Sequence, residues 1–259
     1  MALAVREVGA HHARSILLVH GGGGAGWMWS AQLPALDGFH VLVVDLPEHG
    51  QSRAEGPFSI ARSATMLAEL LRGRAHDGRA AVVGLSLGAQ VALQLTSDAP
   101  AQVERLFATG TLVRPIFGAS AASWMARAYW PFKDAPWLVR MNMRSLGVPE
   151  AYFEPFAAET KATTIEAFVR ISEENVGFRV PAALGAANVP ATIVVGSKEP
   201  SVMRASAEDI RAAMPSARAY CARGQLHNWP MANAALFNES MLAWLGDRPL
   251  PDALEPIAE

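Results

Sequence analysis

The sequence predicts an α/β fold built on a mostly parallel sheet flanked by helices. Three observations point there. Short continuous apolar runs recur at Ser15–Val19, Val41–Val44, Arg79–Val83 and Ala191–Val195, as parallel strands buried on both faces require. Segments with helical spacing alternate with them, notably Ile60–Leu71 and Ala89–Leu95. Between an apolar run and a helix-like run stands Gly84-Leu-Ser86-Leu-Gly88, the strand–turn–helix setting that a G-x-S-x-G nucleophile elbow needs.

At 259 residues the chain fits one large domain with room for an inserted subdomain. It is 51% apolar and only 18% charged, which favours a large buried core and argues against disorder. A net charge of -2 and a pI near 6.4 leave no electrostatic footprint for nucleic acid. The single cysteine, Cys221, excludes an intrachain disulfide and suits a reducing compartment; within the expected strand Arg218–Ala222 it reads as a packing residue. Met1 to Val8 carry neither a basic leader region nor a long apolar stretch, and no uncharged apolar run reaches the length of a membrane span. The expectation is a cytoplasmic protein with no membrane partner.

In chain order, Leu3–Val8 is a short strand, and Ser15–Val19 feeds the loop His20-Gly21-Gly22-Gly23-Gly24-Ala25-Gly26. Trp27–Leu36 is read as a short helix with Pro34 near its end. The strand Val41–Val44 delivers Asp45-Leu-Pro-Glu48-His49-Gly-Gln-Ser52, and Ile60–Leu71 has the spacing of an amphipathic helix. The elbow follows, then the strand Val103–Thr109. From 111 to 185 the pattern changes: tryptophan, tyrosine, phenylalanine and methionine crowd in without a clear strand, which reads as a mostly helical cap over the strand ends. The sheet resumes at Ala191–Val195 and Ala217–Ala222, and a helix over 232–245 precedes a Pro-rich tail. The domain expectation is therefore a core of 1–110 and 186–259 with a cap of 111–185.

In the elbow, a strained turn pushes the Ser86 hydroxyl over the sheet edge, and Gly84 and Gly88 leave room where strand and helix backbones converge. His20-Gly-Gly-Gly after a strand is the type of loop that supplies an oxyanion-hole donor. Gly22 N–H and Leu87 N–H are the two donors assigned, the second also opening a helix. Of the seven histidines, His11, His12 and His76 lie in polar stretches, His40 precedes a strand and His49 sits in the Asp45 loop. His227, between the last strand and the last helix, is the candidate base. The acid is expected after a strand, where Gly196-Ser-Lys-Glu199 stands; Gly110-Thr-Leu-Val-Arg114 offers no carboxylate, and Asp45 reads as a structural loop residue. A solvated Glu199, with the acid missing or supplied by the insertion, stays open at this point.

A competing pattern exists. Gly21-x-Gly23-x-x-Gly26 with Asp45 matches a dinucleotide fingerprint, and Tyr129-x-x-x-Lys133 mimics a dehydrogenase pair. Trp27, Trp29 and Pro34 ill suit the tightly packed first helix of that motif, Pro131 disrupts the turn that would align Tyr129 with Lys133, and an NAD(P) enzyme leaves the elbow unexplained. No metal-ligand spacing and no P-loop is present, so neither a cofactor nor a metal is expected.

Together these parts resemble the α/β-hydrolase superfamily, from about Ile16 to Leu245, and are most similar to small capped esterases. The resemblance implies an α/β-hydrolase fold with a helical cap insertion, a catalytic triad of Ser86, His227 and Glu199, an oxyanion hole at Gly22 and Leu87, and a serine hydrolase that cleaves a small, largely apolar carboxylic ester through an acyl-enzyme. Glu48 departs from the family's D-x-P-G-H-G-x-S pattern, and Glu199 stands where aspartate is commonest. Trp29, Trp124, Tyr129, Trp130, Trp137 and Met141 are the candidates to line the substrate pocket. Arg114, Arg127, Lys133, Arg140 and Arg144 could steer an anionic substrate or an acidic acyl carrier, against the plainer reading of a solvated cap surface. The same scaffold also serves lyases, C–C bond hydrolases and ligand-sensing receptors, so the fold alone does not name the reaction.

Overall fold

The computed structural model describes residues 2–115 and 129–257. The strands are β1 (Val5–Val8), β2 (Ser15–Val19), β3 (His40–Val44), β4 (Ala80–Leu85), β5 (Val103–Thr109), β6 (Ala191–Gly196), β7 (Ala217–Ala222) and β8 (Leu254–Pro256). They form one sheet in the order β1-β3-β2-β4-β5-β6-β7-β8. The two edge pairings, β1 with β3 and β7 with β8, are antiparallel; every pairing between them is parallel.

Strands β2, β3, β4 and β6 are buried along their whole length, and their side chains alternate between two cores. Leu17, Val19, Leu42, Val44 and Val82 face one layer, which includes the helices Ile60–Arg74, Leu87–Asp98 and Ser201–Ala213. Ile16, Leu18, Val41, Val43 and Val83 face the other, with Trp29, Phe237, Met241 and Trp244. The period of two thus divides an unbroken apolar run between two layers.

Register positions the site. Val19 pairs with Gly84, Leu85 with Thr109, and Thr109 with Val194, so these parallel strands end together. The loops that follow them emerge at one sheet edge, where ligands bind in open α/β sheets.

The structure differs from the sequence reading in three elements. The expected helix over 27–36 is two 3-10 turns, Gly26–Trp29 and Leu33–Leu36, the second opening with Pro34 in its first turn. The final helix is broken: a turn at Trp229–Ala232 ends before Asn233, whose side chain caps a new helix, Ala234–Leu245. The Pro-rich tail holds β8, three residues long, which lives on its pairing with β7.

The described part of 111–185, between β5 and β6, contains the helices Pro136–Leu146, Phe153–Ala162 and Ile165–Gly177, and no strand. Charge-assisted contacts fasten it to the loop after β3 and to the start of the helix Ile60–Arg74. Arg170 donates two bonds to Glu48 (3.0 Å each), Arg53 donates to Glu159 (2.8 Å), and Ile60 N–H donates to Glu174 (2.7 Å). Glu48 has φ +65°, a conformation that favours glycine, but its carboxylate also accepts from Phe58 N–H (3.0 Å). Arg170, with the Phe58 N–H, holds the Glu48 carboxyl below its ordinary pKa, against the opposing effect of partial burial. Among the described residues no helix is long and apolar enough to cross a membrane.

Candidate active site

Ser86 follows β4 with φ 56° and ψ −118°, a strained conformation for a residue with a side chain. Its N–H donates to Thr109 O (2.8 Å), and its carbonyl accepts from Ala89 and Gln90, which starts the helix Leu87–Asp98. The flanking glycines answer to close approach. A Cβ on Gly84 would lie 2.7 Å from Ala89 Cα and from Gly88 O, and one on Gly88 would collide with the carbonyl oxygens of Val19 and His20. We expect Gly88→Ala to destabilise the protein by about 2–3 kcal/mol, because backbone rather than a flexible side chain must yield. The urea midpoint should fall at unchanged slope; an unshifted midpoint would disprove the packing argument.

His227 and Glu199 meet at the same edge. His227 Nδ1–H donates to Glu199 Oε2 (2.5 Å), and Glu199 Oε1 accepts from Gly196 N–H (2.7 Å). The Glu199 side chain is 2% exposed and that of His227 is 23% exposed. The extra methylene of glutamate is accommodated by folding the side chain back onto the turn that follows β6. The imidazole lies against Gly110, where a Cβ would stand 2.7 Å from His227 Cε1 and 2.9 Å from Nδ1; φ at Gly110 is +64°. Thr109, just before it, ties both sides together. Its carbonyl accepts from Ser86 N–H, and its Oγ1 accepts from the indole N–H of Trp229 (2.8 Å), two residues after His227. Among the described residues no hydrogen bond joins the Ser86 hydroxyl to the imidazole, and such contacts commonly close only when substrate is bound.

Gly22 and Leu87 are neighbours: a Cβ on Gly22 would sit 3.4 Å from Leu87 Cδ2. Neither backbone N–H meets an acceptor among the described residues, and Leu87 opens its helix, so both donors are free for an anion. In front of Ser86 lies a cavity of about 530 Å³. Gly22, Gly23, His49 and Ser86 line it from the loops after β2, β3 and β4; the other described residues of its wall lie between 129 and 176.

A model of the α/β hydrolase family matches residues 16–253. The chain belongs to the α/β hydrolase family. It is 28% identical to an AB hydrolase superfamily protein of Gibberella zeae, over 94% of this chain and 84% of that one. A shorter stretch, 48% of this chain and 44% of the relative, is 35% identical to a pimeloyl-[acyl-carrier protein] methyl ester esterase of Methylococcus capsulatus. Among solved structures, a hydrolase from Pseudomonas aeruginosa superposes with a TM-score of 0.77 at 26% identity, covering 94% of each chain. This kinship supports hydrolytic activity and leaves the substrate open.

Within this hydrolase the other sequence candidates fall in different places. Tyr129 and Trp130 line the cavity. Trp29 does not: it is fully buried and packs on Phe237, 5.9 Å between ring centroids, so it has no surface to offer a ligand. Trp137 and Met141 are 66% and 53% exposed on the outer face of the helix Pro136–Leu146, whose buried face carries Leu138, Val139 and Met143. Trp124 and Arg127 lie outside the described residues. Of the cations, Arg114 pairs with Asp209 and Arg140 with Glu150, Arg144 is exposed, and Lys133 lines the cavity. Asp45 is structural, accepting from Gly26 N–H (2.7 Å) and Gln51 N–H (2.8 Å). The lining is largely apolar, with Phe156, Phe168 and Ile171 in it, and Asn142, Ser145, Thr160, Ser172 and Asn175 add polar groups.

Two buried histidines brace the loops. His20 donates from Nδ1 to Gly21 O (2.8 Å) and accepts at Nε2 from Leu46 N–H (2.9 Å), which joins the glycine loop to the Asp45 loop. His49 donates from Nδ1 to Pro47 O (2.9 Å) and stacks 5.0 Å from His20. Burial pushes His20 down to about 4 and His49 down to about 3. Both are neutral in the native state while unfolded histidine takes up a proton near 6.5. Between those values the unfolded chain binds more protons, so the stability they contribute is complete above pH 6.5 and declines as pH falls towards 4. The decline amounts to about 3 kcal/mol per histidine. Urea unfolding at neutral pH and near pH 4.5 checks this; a midpoint that does not move would overturn it.

Proposed function

We propose that this hydrolase is a serine carboxylesterase acting on a small-molecule ester through an acyl-enzyme. The observation that carries the reading is the 2.5 Å bond from His227 to a buried Glu199, held beside the Thr109–Gly110 corner that also anchors Ser86. With Nδ1–H given to Glu199, Nε2 is the nitrogen left to accept a proton. His227 takes the Ser86 hydroxyl proton as Oγ attacks the acyl carbon, and the oxyanion is met by the N–H groups of Gly22 and Leu87. His227 then gives the proton to the leaving alkoxide. Water, deprotonated by the same nitrogen, attacks the acyl carbon and releases the acid, restoring Ser86. Glu199 holds the imidazole tautomer throughout. Residues 111–185 act as the cap that shapes the pocket.

The kinship to an esterase lends support, as does the pair of unengaged N–H donors next to Ser86. Labelling with a fluorophosphonate, read by intact mass and peptide mapping, should place one adduct on Ser86. A p-nitrophenyl ester should give an acyl burst of matching stoichiometry. Labelling without turnover would point to a ligand sensor, and ester turnover with no adduct on Ser86 to a reaction that does not pass through that serine; either result refutes the esterase reading.

A further inference from the structure

Among the described residues that line the cavity, Lys133 is the only Lys or Arg, and none is Asp or Glu. Its ammonium donates to two carbonyls at the end of the helix Phe153–Ala162, Thr160 O (2.5 Å) and Lys161 O (2.8 Å), and lies 5.3 Å from the centre of the Trp130 ring. An ammonium has three N–H donors, so one remains. The neighbouring Asp134 is exposed and lines no part of the cavity. The stretch 116–128, outside the described residues, contains no Asp or Glu, so it has no carboxylate to contribute. Partial burial depresses the Lys133 pKa. A charge held in a half-buried wall with carbonyl and ring partners but no counter-ion there is a site for an anion. Tyr129, four residues earlier and also lining the cavity, offers a phenol whose pKa is raised by burial, which keeps it a neutral donor. Among the described residues, one cation and one neutral donor suit a singly charged, two-oxygen group better than a phosphate dianion.

Resting on the esterase reading, we infer that the substrate carries a carboxylate remote from the scissile ester, seated on Lys133 and Tyr129 at the cavity wall while the acyl carbonyl lies at Ser86. The substrates are therefore half-esters of dicarboxylic acids, with Phe156, Phe168 and Ile171 around the chain between the two ends.

Two paired series test this. In the first, p-nitrophenyl half-esters from succinyl to suberyl are compared with the methyl-ended esters of equal chain length. At the length that spans the cavity, kcat/KM should favour the acid-ended member by about 10- to 100-fold, the range of a charge-assisted hydrogen bond in a partly desolvated site. Added salt should shrink that ratio. Lys133→Met should erase the ratio and Lys133→Arg restore much of it, whatever either change does to the methyl-ended ester through the helix end Lys133 also holds. In the second, the corresponding half-amides and methyl-ended amides are titrated calorimetrically into Ser86→Ala, where binding is read without turnover. Equal or better use of the methyl-ended member at every length overturns the inference and leaves the esterase reading standing, and so does a preference that survives Lys133→Met. Lys133-dependent preference for the half-amides in the absence of any ester turnover would keep the anion site and discard the esterase. Should the lysine variants not fold, the wild-type ratio and its salt dependence decide.

Discussion

Ser86→Ala is expected to lower kcat by about 10³-fold or more while leaving the urea midpoint close to that of the parent. On the esterase reading, the loss follows from removal of the hydroxyl oxygen at the elbow that would form the acyl bond. The fold should tolerate the change because Ser86 makes its structural contacts through its backbone: N–H to Thr109 O, carbonyl to Ala89 and Gln90. Alanine in the same strained conformation keeps all three. Residual hydrolysis should persist above the uncatalysed rate, since the Gly22 and Leu87 donors are untouched. A variant with full activity and an intact fluorophosphonate adduct elsewhere would remove Ser86 from the mechanism.

Glu199→Gln should cost on the order of 10²- to 10⁴-fold in kcat with little change in stability. Gly196 N–H will retain the amide oxygen at the Oε1 position, because only an oxygen can accept there. The amide NH₂ then faces His227 Nδ1, which must turn acceptor, and the ring proton moves to Nε2. That tautomer cannot take the Ser86 proton. A rate close to that of the parent, with the fold unchanged, would assign the orienting role to another group.

Much of this was legible along the chain, and the boundary is physical. The strands Ser15–Val19, Val41–Val44 and Ala191–Val195 declare themselves because burial on both faces demands unbroken apolar residues. Gly84 and Gly88 declare the elbow because backbone approaches backbone there. Glu199 stands after a strand in the order expected of the acid, and the bond to His227 agrees with that position. What stayed hidden depends on partners far away in sequence. The strand β8 has a Pro and three residues, and only its pairing with β7 makes it a strand. Trp29, Trp137 and Met141 announced apolar surface without a direction; one turned into the core and two turned outward. Thr109 carried no motif, since its role lies in accepting one bond from the elbow and another from Trp229. Lys133 could be counted as a cation, but not as one facing a cavity without carboxylates.

The loop of His227 has one further attachment. Asn228 donates both its backbone N–H (3.2 Å) and its side-chain amide (2.9 Å) to Leu146 O, the last residue of the helix Pro136–Leu146. Gly147, just beyond, has φ +72° and sits so close to Leu226 that a Cβ there would lie 2.9 Å from the Leu226 side chain. The insertion is therefore not a detachable module. Replacing the segment between β5 and β6 with a foreign one to redirect selectivity would remove the acceptor that steadies the residue next to His227, and such chimeras should lose turnover before they lose affinity.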